Sequence, residues 1–386
     1  MFDFNKIQQR NNTNSSKWDK YAGTDILPLW VADMDFQIAT EIRDALQREV
    51  QRGIFGYNTY QTSVTPTVVD YISTKYNWSV DSSAIVWLPG LVPGLNLAAR
   101  ILTSAEEAII TATPIYPPFM SAPKNATREL ICVPLSQENS QWQWDFAKLE
   151  HAIVNAPIKP KLLLLCNPHN PVGRVWTRNE LEQLLDIAIK YDLLVCSDEI
   201  HCDLILDDNK THIPFAALNE HAAARTVTLM APSKTYKLAG LNCTYAIITN
   251  PQLREQFRRF MRGLYPSELN TLGLVACQAA LNHGQQWLQE LLPYLRDNRD
   301  WVIHQLAPFA GLKLTTPEAT YLLWIDGREF CNRHKIDNLQ QYFEKFGVGL
   351  SDGADFGIKN CVRMNLATSR SLLEQAVSRM RQACNL

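Results

Sequence analysis

The chain has no CxxC pair, and its nine cysteines (132, 166, 196, 202, 243, 277, 331, 361 and 384) are odd in number and scattered. That argues against a disulfide framework and against a paired-thiol zinc site, and predicts free thiols in a reducing compartment. Neither sign of charge is in excess: 37 Lys and Arg against 39 Asp and Glu leave a formal net charge of -2, without a dense basic block. The electrostatic footprint of a polyanion binder is missing, so no nucleic-acid partner is expected. Long apolar runs are missing too. The uncharged stretch Ala84 to Ala99 is interrupted by Pro89, Gly90, Pro93 and Gly94, which suits a strand, a turn and a helix rather than a membrane span. The opening residues, MFDFNKIQQRNNTNSSKWDKY, contain no apolar signal-peptide core, so a cytoplasmic location is expected. No internal repeat or low-complexity segment is visible.

What is there is a globular composition, 46% hydrophobic and 20% charged over 386 residues. That length allows a large core and about two domains. Residues 1–40 read as an extended N-terminal arm, ordered around ILPLWVADMDF at 26–36, where Asp33 and Asp35 suggest a surface or site-facing loop. Residues 41–275 then alternate short apolar strands with amphipathic helices, the pattern of an α/β fold with a mainly parallel sheet. A helix over 38–51 precedes the Gly- and Tyr-rich loop GIFGYNTYQ, and a second helix fits Pro66 to Tyr76. Strands fit Ile85–Leu88, Ala108–Ala112, Lys161–Cys166, Leu193–Ser197 and Thr226–Met230, with Thr244–Ile248 beside the last and an antiparallel sense open to it. Thr177 and Glu180 form a capping-box pattern ahead of the apolar face Leu181, Leu184, Leu185 and Ala188. Residues 276–386 read as a smaller α+β domain, with which the arm is expected to pack.

Successive strand ends carry distinctive chemistry. Pro232 and Ser233 break the strand Thr226–Met230, and Lys234 follows at its carboxyl end, where open parallel sheets place ligands. A lysine near apolar walls can lose its proton and attack an aldehyde such as that of pyridoxal phosphate; the bland alternative is a solvated loop lysine. Asp198 ends a strand of mostly apolar residues, where a buried carboxylate needs a cation such as a protonated pyridine nitrogen. Asn167 to Gly173 holds two Asn-Pro pairs, whose amides can donate to a ring oxygen or merely build a turn. LPGLVPG at 88–94 runs into a helix and offers free backbone N–H groups to a phosphate, although any strand-turn-helix junction looks similar. Tyr116 can stack on a ring or sit in the core. Arg363, inside the apolar run CVRMNLA, needs an anion: a substrate carboxylate or a buried carboxylate side chain. DEIHCD at 198–203 gathers possible metal ligands, but strand alternation would separate them and no second His/Cys cluster has zinc spacing, so no metal is expected; His169 reads as a loop histidine near the site.

In this order, NPxNPxG, DE(I)H, SKTYKLAGL and VRMNLA resemble the fold-type I pyridoxal-phosphate enzymes. LPLWVADMDF, FGY, TPIYPPF, NPHNPVGR and SDEIHCDL are similar to the MalY/PatB-type cystathionine β-lyases within them, nearly throughout the chain. The resemblance implies a mainly parallel seven-stranded sheet sandwiched by helices, with a smaller C-terminal domain. It implies pyridoxal 5'-phosphate as cofactor and an amino acid as substrate. Lys234 would be the Schiff-base lysine that moves the α-proton. Asp198 would pair with the pyridine nitrogen, Asn170 would reach the phenolic oxygen, Tyr116 would stack on the ring, and His201 would stand beside it. Gly90, Leu91, Val92 and Ser233 would hold the phosphate, joined by Tyr57 from the other subunit of a homodimer. Arg363 would grip the substrate carboxylate, with Trp30 and Tyr57 shaping the substrate pocket. Two departures favour the lyase branch over a general transaminase: His201 where aminotransferases have tyrosine, and Asn242 where they have arginine. Ala231 stands where many relatives carry Ser or Thr. The activity implied is carbon–sulfur β-elimination from L-cystathionine or a similar cysteine S-conjugate. An aminotransferase is the nearest alternative, and a pyridoxal-phosphate-binding regulator acting through a protein partner is another.

Overall fold

A computed structural model describes residues 2–138, 141–263 and 269–385. The first sheet contains β1 (Ile85–Leu88), β2 (Ala108–Thr113), β3 (Leu130–Pro134), β4 (Pro160–Cys166), β5 (Leu194–Asp198), β6 (Thr226–Met230) and β7 (Thr244–Ile247). Its seven strands lie in the order β1-β7-β6-β5-β4-β2-β3. β7 runs antiparallel to both neighbours, and the other pairings are parallel. The mainly parallel α/β sheet expected from the sequence is therefore present, and the open question about Thr244–Ile248 resolves as antiparallel.

The run KLLLLC in β4 is apolar without alternation because both faces of the sheet are covered. Leu163 and Leu165 pack with Leu181, Leu184 and Leu185 of the helix Arg178–Lys190. Leu162, Leu164 and Cys166 pack on the opposite face with Leu91, Leu95 and Ala98 of the helix Leu91–Ile101. At Gly94 of that helix an added Cβ would stand 3.0 Å from Leu88 and 3.2 Å from Leu229, so the missing side chain lets the helix approach β1 and β6 closely. The capping box forms as read: Thr177 Oγ1 accepts from Glu180 N, and Glu180 Oε2 accepts from Thr177 N at 2.8 Å.

Two elements differ from expectation. The helix expected from Pro66 begins at Tyr60, and Pro66 lies inside it. Burial of Val64, Val68 and Ile72 along one stripe outweighs the hydrogen bond lost at the proline. The strand ends at Asp198 and residues 200–203 form a turn, so DEIHCD does not alternate faces.

The second sheet is antiparallel: β8 (Lys313–Thr315), β9 (Leu322–Asp326), β10 (Ser351–Asp352) and β11 (Cys361–Asn365), in the order β8-β9-β11-β10. The arm docks beside it. Leu27–Pro28 pairs in parallel with Val348–Gly349, Asn365 N donates to Leu29 O at 2.9 Å, and Asp35 N donates to Ala367 O at 2.9 Å. Among the described residues no helix is long and apolar enough to cross a membrane.

Candidate active site

The carboxyl ends of β1, β2, β4, β5 and β6 open on one side of the sheet, and the loops leaving them line a cavity of 420 Å³. Gly90, Leu91 and Val92 follow β1, Tyr116 follows β2, Asn170 follows β4, Asp198 ends β5 with His201 just beyond, and Ser233 and Lys234 follow β6. Arg363 arrives from β11, and Val31 and Ala32 from the arm. One cavity thus collects ten of the twelve residues expected to hold the cofactor or meet the substrate, spread from position 90 to 363.

Lys234 is partly buried, and its Nζ donates to the carbonyl of Ala32 at 2.6 Å. Burial and the neighbouring Arg363 charge bring its pKa down to about 8, so a useful fraction is neutral near physiological pH. Asp198 is 2% exposed, and its Oδ1 accepts from Ile200 N at 3.1 Å. Among the described residues no Lys, Arg or His forms an ion pair with it. Burial, and then the Glu199 charge, lift its pKa to about 7 against the weaker pull of Lys234 in the same cavity.

Arg363 is 4% exposed and forms no ion pair among the described residues. The structural salt bridge weighed as its alternative is not what holds it. Its Nη1 donates to Asn170 Oδ1 at 3.0 Å and its Nη2 to the Trp30 carbonyl at 3.1 Å, its face lies 4.6 Å from the Phe356 ring centroid, and Nε has no partner. A guanidinium desolvated in this way loses basicity, to about 10, and favours any anion that reaches it. His201 is also buried, with Nδ1 unpartnered and its ring edge-on to Tyr321 at 6.2 Å. Burial and the charges of Lys234 and Arg363 bring it down to about 3, so it stays neutral.

Two of the expected site residues lie elsewhere. The Trp30 indole donates to the Lys17 carbonyl at 3.1 Å and lies under Lys20 Nζ at 4.6 Å; only the Trp30 carbonyl meets Arg363. Tyr57 is 99% exposed and lies in a surface hollow with Ile54, Gly56 and Asn58, away from the cavity of its own chain. His169 lies in the loop beside Asn170 but is buried, 1% exposed, with Nε2 2.8 Å from the Pro114 carbonyl and its ring against Trp176. Turn NPHNPVG thus spends its histidine on its own fold.

Sequence reasoning missed the backbone of the arm. It also missed Tyr321, whose hydroxyl shares the Ala32 carbonyl at 3.2 Å, and Asn365, which holds Val31 and Asp33. Asn365 had a readable signal, since it follows Arg363 by two along a strand and so shares its face. Asp33 and Asp35 prove to be ion-pair centres: Asp33 meets Arg10 and Lys237, and Asp35 meets the fully buried Lys17.

Residues 24–380 match the aminotransferase class I and II family. The chain is 32% identical over 388 residues to cystathionine beta-lyase PatB of Bacillus subtilis (strain 168), with 99% of each chain covered. Among solved structures it is similar to the crystal structure of OvoB, with a TM-score of 0.95, 44% identity and 99% of each chain covered. It is also similar to cystalysin from Treponema denticola, which contains a pyridoxal 5'-phosphate cofactor, with a TM-score of 0.93, 31% identity and coverage of 100% of this chain and 99% of that one.

The cavity fits such a cofactor on its own chemistry. A buried carboxylate that lacks a cation at Asp198 suits a protonated ring nitrogen. A lysine of lowered pKa suits an aldehyde, and the N-terminal end of the helix Leu91–Ile101 suits a phosphate.

Proposed function

Because this chain belongs to the aminotransferase class I and II family, and within it to the MalY/PatB-type cystathionine β-lyases, we propose that it is a pyridoxal-phosphate-dependent carbon–sulfur β-lyase. Its substrate is L-cystathionine or a related cysteine S-conjugate, and its products are a thiol, pyruvate and ammonia. The observation that carries this reading is the meeting of Lys234, Asp198 and Arg363 in one cavity, each in an electrostatic state that a bound amino acid and cofactor would relieve.

When bound, pyridoxal 5'-phosphate supplies an electron sink for negative charge arising at the substrate Cα. The chain's residues do the rest. Asp198 would keep the ring nitrogen protonated, and the Asn170 side-chain amide would donate to the phenolic oxygen. Tyr116 stacks on the ring. The backbone N–H groups of Gly90, Leu91 and Val92, with the Ser233 hydroxyl, hold the phosphate, and neutral His201 lines the ring's edge without adding charge. Arg363 exchanges backbone and amide partners for the substrate α-carboxylate. Lys234, as the neutral amine, takes the Cα proton, and the sulfur then leaves Cβ with the bonding pair.

The reading includes a homodimer with a shared site. It is supported by the exposure of Tyr57 together with Ile54 at 71% and Phe55 at 56%, an apolar face suited to a second copy whose phosphate Tyr57 would reach. Trp30 and Tyr57 then shape the substrate entrance from the two subunits. A cytoplasmic location is part of the same reading, supported by nine unpaired cysteines, most of them buried.

The test is pyruvate release from purified, cofactor-loaded protein given L-cystathionine, with and without a 2-oxo acid. Pyruvate without an acceptor is expected, and Lys234→Ala should reduce it by at least about a thousandfold. A new amino acid formed only with the 2-oxo acid would make the protein an aminotransferase.

A further inference from the structure

Four successive carbonyls of the arm, Trp30 to Asp33, each accept a hydrogen bond from a side chain of another segment. Their partners alternate in a telling way. Val31 O and Asp33 O both accept from Asn365 Nδ2, each at 2.7 Å, while the carbonyl between them, Ala32 O, accepts from Lys234 Nζ at 2.6 Å and Tyr321 Oη at 3.2 Å. Asn365 is fully buried, and its Oδ1 accepts from Ala367 N at 2.7 Å, so both ends of the amide are committed. It stands two residues from Arg363 on β11, so one strand face supplies both the carboxylate grip and this bracket. Val31 and Ala32 lie in a tight bend closed by Asp33 N donating to Val31 O at 2.8 Å, and with the carbonyls on both sides held by Asn365 the Ala32 carbonyl is left to face the lysine.

We propose that the Asn365 bracket makes the Ala32 carbonyl the resting acceptor for Lys234, holding the ammonium whenever that lysine is free of the cofactor and so setting how readily it gives up its proton. The proposal rests on the reading of Lys234 as the lysine that bonds the cofactor and moves the Cα proton. Around Lys234 stand the cations Arg363 and Lys237, the carboxylates Asp33 and Asp198, and neutral His201. Lys237 and Asp33 pair with each other at 2.6 Å and largely offset, and Asp198 is itself half protonated near neutrality. Arg363 therefore works against the ammonium, and Ala32 O is the only hydrogen-bond acceptor on Lys234 Nζ among the described residues.

The test uses the cofactor-free full-length chain and follows its capture of added pyridoxal 5'-phosphate by absorbance across pH. In capture the neutral amine condenses with the aldehyde carbon and water leaves, so the inflection of the rate reads the lysine, at about 8 in the parent chain. Asn365→Ala slackens the arm and removes the acceptor. Its inflection should fall by about one pH unit, raising capture at pH 7 about fivefold, because a hydrogen bond to a charged group is of that size. Tyr321→Phe removes the competing donor and leaves the bracket, so its inflection should move up and its capture at pH 7 should slow about twofold. A general loosening of the fold would expose Lys234 and drive both inflections up toward the ordinary 10.5. An unmoved inflection in Asn365→Ala, or shifts of the same sign in both variants, would overturn the proposal. Capture by Lys234→Ala at the parental rate would overturn the reading of Lys234 instead.

Discussion

Asp198 should make the cofactor-free protein less stable as pH rises, and an isosteric amide should remove that penalty. Its folded-state pKa of about 7 lies above the ordinary 3.8, because its carboxylate is buried with one backbone donor and no ion-pair partner among the described residues. Between those two values the folded chain keeps the proton and the unfolded chain has released it. The protonated carboxyl's stabilisation is thus complete below about pH 4 and is lost as pH rises through about 7. The difference corresponds to about 4 kcal/mol at most. Asp198→Asn cannot ionise, so urea unfolding of the cofactor-free variant should show a gain over the parent at pH 8 that shrinks to about a quarter of its size at pH 4.5 and vanishes only below pH 4. Cofactor-loaded protein should behave in the opposite way, because a protonated ring nitrogen turns the same carboxylate into a partner, and the variant should then lose cofactor affinity and turnover. Parent and variant with identical pH dependence in the cofactor-free state would refute the claim that Asp198 is uncompensated.

Arg363→Lys replaces a forked donor by a point charge, so KM for the amino acid should rise about tenfold to a hundredfold in steady-state kinetics; an unchanged KM would remove Arg363 from carboxylate binding. Gly173→Ala should cost about 2 to 3 kcal/mol in denaturant unfolding, because Gly173 has φ +72° and an added Cβ would lie 2.3 Å from Pro317 Cβ. Thr177→Ala breaks the capping box far from the cavity, so it should lower stability by about 1 kcal/mol and leave turnover alone.

The chemistry was the more legible part of the sequence. Lys234, Asp198 and Asn170 could be proposed because each sits at or just beyond the carboxyl end of an apolar strand, where open parallel sheets place ligands. The capping box at Thr177 was readable for a similar reason, since it depends on residues only three positions apart. The start of the helix at Tyr60 was not, because the proline is a local signal and the burial of Val64 against other elements is not.

Amino-acid order alone determined the alternation of strands and helices, the strand ends that bear chemistry, the balance of charge and the absence of paired thiols. Tertiary structure decided which of those groups meet and in what electrical state. No local pattern says that Arg363 lacks a carboxylate, that Asp198 lacks a cation, or that the Trp30 ring belongs to Lys17 and Lys20 while its carbonyl belongs to Arg363. Nor does any pattern say that the Ala32 carbonyl reaches a lysine 202 positions away. Periodicity and turn chemistry act over a few residues. Desolvation and hydrogen-bond partnership, by contrast, depend on every segment that packs around a group, and those segments come together only when the chain is folded.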